Sequence, residues 1–242
     1  VGATCRDTLG FRGEQLVVST DDSMQLDFNA RELTIKLVYY GPALSGKTTN
    51  LQAIHTLVDS QASGRLMTLE TRDDRTLFFD LLPLSFQAGG LTIRIKLFTV
   101  PGQVIHNATR RLVLQGADGV AFIADSQLAE TAANRDAFLN MQENLRENGL
   151  DPDQVPLVIQ FNKRDMPNVR TDSELDRMAE RGKEPVFKAV ALRGVGVLET
   201  LLGLLDHTFA HLERLHALEA KFGLKQSVFM SEVRQRLESG RT

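Results

Sequence analysis

Residues 41–51 read GPALSGKTTNL, and what flanks them narrows the possible folds more than any other feature of the chain. Before them stands a run of β-formers, residues 33–40 (LTIKLVYY), that stops at Gly41. After them, Leu51, Ile54, Leu57 and Val58 recur at helical spacing, which predicts a helix over residues 47–58. The pattern G-x-x-x-x-G-K-[ST] is met at Gly41, Gly46, Lys47 and Thr48. Strand, glycine-bearing loop and helix in that order make a phosphate cradle. The glycines let backbone N–H groups close around the anion, and the helix points its positive end at it. Lys47 is expected to reach the β- and γ-phosphates and the Thr48 hydroxyl to hold Mg²⁺. Leu44, Ser45 and Thr49 complete the expected nucleotide-binding stretch.

The rest of the chain alternates in a way that suits this start. Residues 78–84 and 91–100 read as two strands around a QAGG turn, an antiparallel hairpin. Residues 119–125 (GVAFIAD) and 155–162 (VPLVIQFN) are apolar runs of the kind buried on both faces of a parallel sheet, and residues 185–191 are a weaker last strand. Helical stretches fall at 108–115, 134–148, 172–181 and 195–215, and a polar segment runs from 59 to 76. The expectation is an α/β fold: a doubly wound, mostly parallel sheet with one antiparallel hairpin.

The same reading divides the chain into an N-terminal extension (1–30), a nucleotide-binding domain (31–216) and a C-terminal helical extension (217–242). In the last, Val228, Phe229, Met230, Val233 and Leu237 describe one apolar helix face. That face suits a helix folded back on the body better than one offered to a partner.

The base is read from NKRD, residues 162–165, which leaves the apolar strand where ligands sit in doubly wound sheets. The Asp165 carboxylate can accept two hydrogen bonds from the N1–H and amino group of guanine. Adenine lacks that donor pair and would leave the carboxylate unpaired. Lys163 can lay its stem along the base, and Asn162 can tie the segment to the phosphate loop.

Composition removes other classes. The 28 basic and 31 acidic residues nearly cancel, which argues against a nucleic-acid partner. The single cysteine excludes an intrachain disulfide and a cysteine metal cluster, so an intracellular, cytoplasmic site is expected. The opening VGATCRDTLGFRGEQ has no signal-peptide pattern and the closing SGRT no prenylation box, so no direct membrane anchor is expected. His207, His211 and His216 recur at helical spacing without carboxylates or cysteines beside them, and read as helix surface rather than a metal site.

Four stretches together resemble the MglA-type bacterial branch of Ras-like small GTPases, the polarity and gliding-motility switches. They are KLVYYGPALSGKTTNLQ, DDRTLFFDLLPL, LFTVPGQVIHNATRRLVLQGADGVAFIADSQ and VPLVIQFNKRD. The resemblance covers about residues 29–215, with TVPGQ in place of the usual DxxGQ. It implies that Thr76 binds Mg²⁺ in the GTP state together with Thr48. It implies further that Arg75 neutralises charge on the transferring phosphoryl group, that Gln103 orients the attacking water and that Gly102 contacts the γ-phosphate. Ala191 matches the backbone N–H that meets the guanine oxygen. Thr99 stands where most small GTPases carry a magnesium-linked aspartate, and Asp80 is the candidate to replace it.

Ala43 stands where relatives commonly have glycine, which implies slow intrinsic turnover. The resemblance also implies a roadblock-fold, MglB-like activating partner and polarity or motility effectors. The expected function is a GTP-hydrolysing switch using Mg²⁺ and cycling between GTP and GDP. The alternative is a hydrolysis-poor, nucleotide-dependent binding module. A nucleotide kinase is disfavoured by NKRD and by the lack of a basic lid.

Overall fold

The computed structural model describes residues 25–27, 30–58, 62–70 and 78–238. The elements run β1 (Gln25–Asp27), β2 (Glu32–Tyr40), α1 (Lys47–Leu57), β3 (Met67–Glu70), β4 (Phe78–Ala88), β5 (Leu91–Thr99), α2 (Asn107–Leu114) and β6 (Gly119–Asp125). They continue with α3 (Thr131–Glu147), β7 (Leu157–Asn162), α4 (Asp172–Arg181), β8 (Val186–Lys188), α5 (Val197–His216), α6 (Leu218–Phe222) and α7 (Gln226–Glu238). One sheet has the order β3-β4-β5-β2-β6-β7-β8, with β1 added beside β2. The pairs β2–β5, β2–β6, β6–β7 and β7–β8 are parallel. The expected α/β architecture is therefore present, doubly wound and mostly parallel, with the β4–β5 hairpin antiparallel. Two further antiparallel pairs, β1–β2 and β3–β4, extend it.

Alternation along each strand sends successive side chains to opposite faces. On the first face Leu33, Ile35, Leu37 and Tyr39 of β2 join Leu82, Leu84 and Phe86 of β4 and Ile93, Ile95 and Leu97 of β5. Helices α1, α5 and α7 cover them, α5 contributing Leu201, Leu204, Leu205, Phe209 and Leu212 at spacings of three and four. On the second face Val38 and Tyr40 of β2 join Val120, Phe122 and Ala124 of β6 under α2, α3 and α4.

Helix α7 lies on the first face. Phe229 stacks on Phe209 with ring centroids 4.6 Å apart and meets Phe86 of the hairpin at 6.2 Å. Met230, Val233 and Leu237 are buried with it. The α6–α7 connection also seats Leu224 against Gly89 at the hairpin tip. Helix α4 begins with a capping box. Thr171 Oγ1 accepts from the Glu174 N–H at 3.3 Å, and the Thr171 N–H donates to Glu174 Oε2 at 2.7 Å. Among the described residues no helix is long and apolar enough to cross a membrane.

Candidate nucleotide site

Three parallel strands end together. β2 runs into Gly41, β6 ends at Asp125 and β7 at Asn162, so the phosphate loop and NKRD leave the same edge of the sheet. A cleft of about 360 Å³ opens there. It is lined by Leu44 and the Gly46–Thr49 segment, by Thr68, Phe79, Asp80 and Thr99, and by Val100, Pro101 and Gly102.

The loop is held open from inside. Lys47 Nζ donates to the carbonyls of Gly41 at 3.0 Å and Pro42 at 2.7 Å, which bends the loop around its ammonium. That ammonium is buried, and burial, aided by the nearby Arg110 guanidinium and opposed by Asp80, lowers its pKa from 10.5 to about 8. Gly46 takes φ +97°, open to glycine, and a Cβ there would run into the Asn162 carboxamide. Leu44 is left-handed at φ +61° and its side chain is exposed. Ser45 is buried. Thr48 and Thr49 sit in the first turn of α1, facing the cleft.

The segment after β7 is tied to the loop after β2 by one side chain. Asn162 Nδ2 donates to Ser45 O at 2.8 Å, while Asn162 Oδ1 accepts from the Ala191 N–H at 2.9 Å. Below them, Asn50 of α1 and Gln160 of β7 exchange two amide hydrogen bonds of 2.9 Å, and Gln160 also donates to Thr200 of α5 at 2.8 Å. Lys163 is left-handed at φ +64°, and its Nζ reaches Asp125 Oδ2 at 2.6 Å. Asp165 keeps a partly exposed carboxylate, with Arg193 Nη2 at 3.9 Å. Leu192, next to Ala191, is 83% exposed, an apolar side chain left in solvent.

A third cluster centres on Asp80. Its Oδ2 accepts from Thr48 Oγ1 at 2.6 Å and from Thr99 Oγ1 at 2.9 Å, its Oδ1 accepts from Thr68 Oγ1 at 2.9 Å, and its N–H donates to Thr99 Oγ1 at 2.9 Å. Asp80, on the strand beside β5, thus stands one hydrogen bond from Thr99. Gly102 packs on the backbone of Pro42 and Ala43 so closely that a Cβ would collide with it. Gln103 is exposed, and its side chain makes no capping bond to the following 3₁₀ turn (Val104–His106). Arg75 and Thr76 lie outside the described residues.

Gly41, Leu44, Ser45, Gly46, Lys47, Thr48, Thr49, Gly102, Asn162, Lys163, Asp165 and Ala191 all fall at this edge of the sheet. Sequence reasoning missed Asp125, Thr68 and Leu192. An acidic residue closing a buried strand was the available signal for Asp125, and a leucine in a glycine-flanked loop the signal for Leu192. Thr68 gave none.

No protein-family model matches the chain. Among curated proteins it is similar to the mutual gliding-motility protein MglA of Myxococcus xanthus (strain DK1622). The two are 45% identical over 190 residues, which cover 78% of this chain and 97% of that protein. Identity at that level across nearly the whole relative, on a phosphate loop and an NKRD strand sharing one sheet edge, leads to one conclusion: the chain belongs to the MglA-type family of bacterial small Ras-like GTPases.

Proposed function

We propose that the protein is a guanine-nucleotide switch that binds GTP with Mg²⁺, hydrolyses it slowly and uses the two nucleotide states to govern gliding-motility or polarity effectors. The observation that carries this reading is the Asn162–Ser45 bond, which fixes the distance between the phosphate cradle and the base-reading segment. Lys47 holds the β- and γ-phosphates, and the backbone N–H groups from Leu44 to Thr49 close around them. Asp165 selects guanine, Asn162 and Ala191 steady the base pocket, and Lys163 and Leu192 offer apolar surface to the ring faces.

For the metal, the donor set is hard oxygen: the Asp80 carboxylate with the Thr48 hydroxyl, and Thr76 from the segment before β4. Among the described residues no group of three or more His, Cys, Asp or Glu gathers, and Mg²⁺ held largely by phosphates and water needs only one or two carboxylates. The residues therefore fit the ion, which when bound neutralises charge between the β- and γ-phosphates. Gln103 orients the attacking water, Gly102 meets the γ-phosphate, and Arg75 stabilises charge on the transferring phosphoryl group.

The protein works in the cytoplasm and reaches a pole or membrane through partners. A roadblock-fold, MglB-like protein accelerates hydrolysis by repositioning Arg75 and Gln103. One observation favours a second reading, a nucleotide-gated binding module with little turnover: Gly102 is pressed on the Ala43 backbone beside the γ-phosphate position.

Single-turnover GTP hydrolysis, with and without a roadblock-fold partner and in Gln103→Ala, separates the two readings. The switch reading expects hydrolysis that rises with the partner and collapses in the variant. GTP that binds tightly and stays intact in both conditions leaves the binding module.

A further inference from the structure

Helix α2 follows directly on the Pro101–His106 segment that carries Gly102 and Gln103, and its two halves are held differently. The C-terminal half sinks Val113 and Leu114 into the apolar core of the second face. The half nearest Gln103 is held through polar groups instead. Asn107 Oδ1 accepts from Asn140 Nδ2 at 3.0 Å, from Asn144 Nδ2 at 3.0 Å and from Arg110 Nη2 at 3.4 Å. The Tyr40 hydroxyl donates to Asn140 Oδ1 at 2.6 Å and accepts from Asn144 Nδ2 at 3.1 Å. The Asn107 carboxamide thus joins the head of α2 to α3, whose Asn140 and Asn144 in turn bond Tyr40, the residue just before the phosphate loop.

This knot is deep. Tyr40 and Asn144 are fully buried and Arg110 nearly so. Burial pushes the Tyr40 hydroxyl up to about 12, so it remains a donor throughout the physiological range. The knot is also incompletely satisfied. Asn144 Nδ2 has two hydrogens and three acceptors within reach, Tyr40 Oη, Asn107 Oδ1 and Asn140 Oδ1, while Asn144 Oδ1 has no partner among the described residues. With more acceptors in reach than hydrogens to give, Asn144 Nδ2 can swap partners when α2 shifts slightly. Directional bonds suit such an exchange, because a small shift of the helix swaps partners without opening a cavity.

We infer that Asn107 is a positioning residue for Gly102 and Gln103: as the common acceptor of the knot it sets where the head of α2, and so the segment before it, stands relative to the phosphate loop. The inference rests on the guanine-nucleotide switch reading for its consequence, though not for the placement itself. Asn107 is not among the residues that line the cleft, and acts through the chain it anchors.

The test compares Asn107→Leu, which removes the acceptor, with Asn107→Asp, which keeps oxygens for all three donors. Two measurements are made on the full chain: amide hydrogen exchange over residues 101–110, without nucleotide and with each nucleotide, and dissociation constants for GDP and for the non-hydrolysable analogue GMPPNP. In Asn107→Leu, exchange over 101–110 should accelerate about three- to tenfold, the loss of one or two buried hydrogen bonds. GMPPNP affinity should fall by a similar factor relative to GDP, and Asn107→Asp should restore both.

Unchanged exchange over 101–110 in Asn107→Leu would overturn the inference. So would equal losses of GDP and GMPPNP affinity with exchange rising across the whole sheet, the mark of a merely structural role. If GMPPNP and GDP both fail to bind the wild type, the switch reading falls, and exchange in the nucleotide-free protein still decides whether Asn107 anchors α2.

Discussion

The two faces of the sheet are held by different chemistry. On the first, α1, α5 and α7 press an apolar layer onto β2, β4 and β5, closed at the hairpin by Phe86, Phe209 and Phe229, and only towards β7 do Asn50, Gln160 and Thr200 interrupt it. On the second, the apolar layer under α2, α3 and α4 gives way near the phosphate loop to the Tyr40–Asn107–Asn140–Asn144 knot. Apolar close packing has one good arrangement and resists displacement, whereas hydrogen bonds can be remade after a small shift. The contrast predicts that the first face serves as the frame and that nucleotide moves the second. β4 serves both: Phe86 at one end packs under α7, and Asp80 at the other bonds Thr48 in the cleft.

The largest expected effect tests the frame. Phe229→Ala empties a fully buried site against two other rings, and should lower unfolding free energy by about 3–5 kcal/mol. Urea denaturation reads the loss, and a midpoint equal to wild type would mean that α7 is an appendage and not part of the frame.

A smaller effect probes the buried cation of the site. Lys47 titrates near 8 in the folded protein against 10.5 ordinarily, because burial disfavours its charge. Between those two values the unfolded chain binds the extra proton, so the nucleotide-free protein gains stability as pH rises from 8 towards 10.5. Phosphate binding needs the charged form. GDP affinity should therefore fall above pH 8, approaching about tenfold per pH unit, with proton uptake on binding. Calorimetry in buffers of different ionisation enthalpy measures that uptake, and affinity flat from pH 7 to about 10 would contradict it.

The smallest effect falls at the base. Leu192→Ala removes an exposed side chain, so stability should hold while GDP affinity drops roughly fivefold, about 1 kcal/mol of apolar contact. Equal affinity in the variant would take Leu192 out of the base pocket.

Much of this was legible in the sequence because period and punctuation agree there. Residues 119–125 and 172–181 were read with the bounds they have, and the phosphate loop stands between β2 and α1 as its glycines require. Strand β3 was hidden because MTLE is short and sits in a polar stretch; it is a strand because β4 offers it an edge. Helix α3 begins three residues before the expected 134, since Thr131 to Ala133 carry no apolar signal. The knot was invisible for a different reason. Asn140 and Asn144 lie one helical turn apart and look like surface amides, and only the packing of α2 on α3 turns them inward. Asn162 marked the base in the sequence, but its bond to Ser45 spans 117 positions and needed the fold.

Nucleotide should move one face of the sheet and spare the other. Amide hydrogen exchange in the GDP and GMPPNP states measures this directly. The expected result is a change over residues 101–110 with α5 and α7 unaltered. Exchange that changes equally on both faces, or on neither, would contradict a fixed apolar frame carrying a movable polar one.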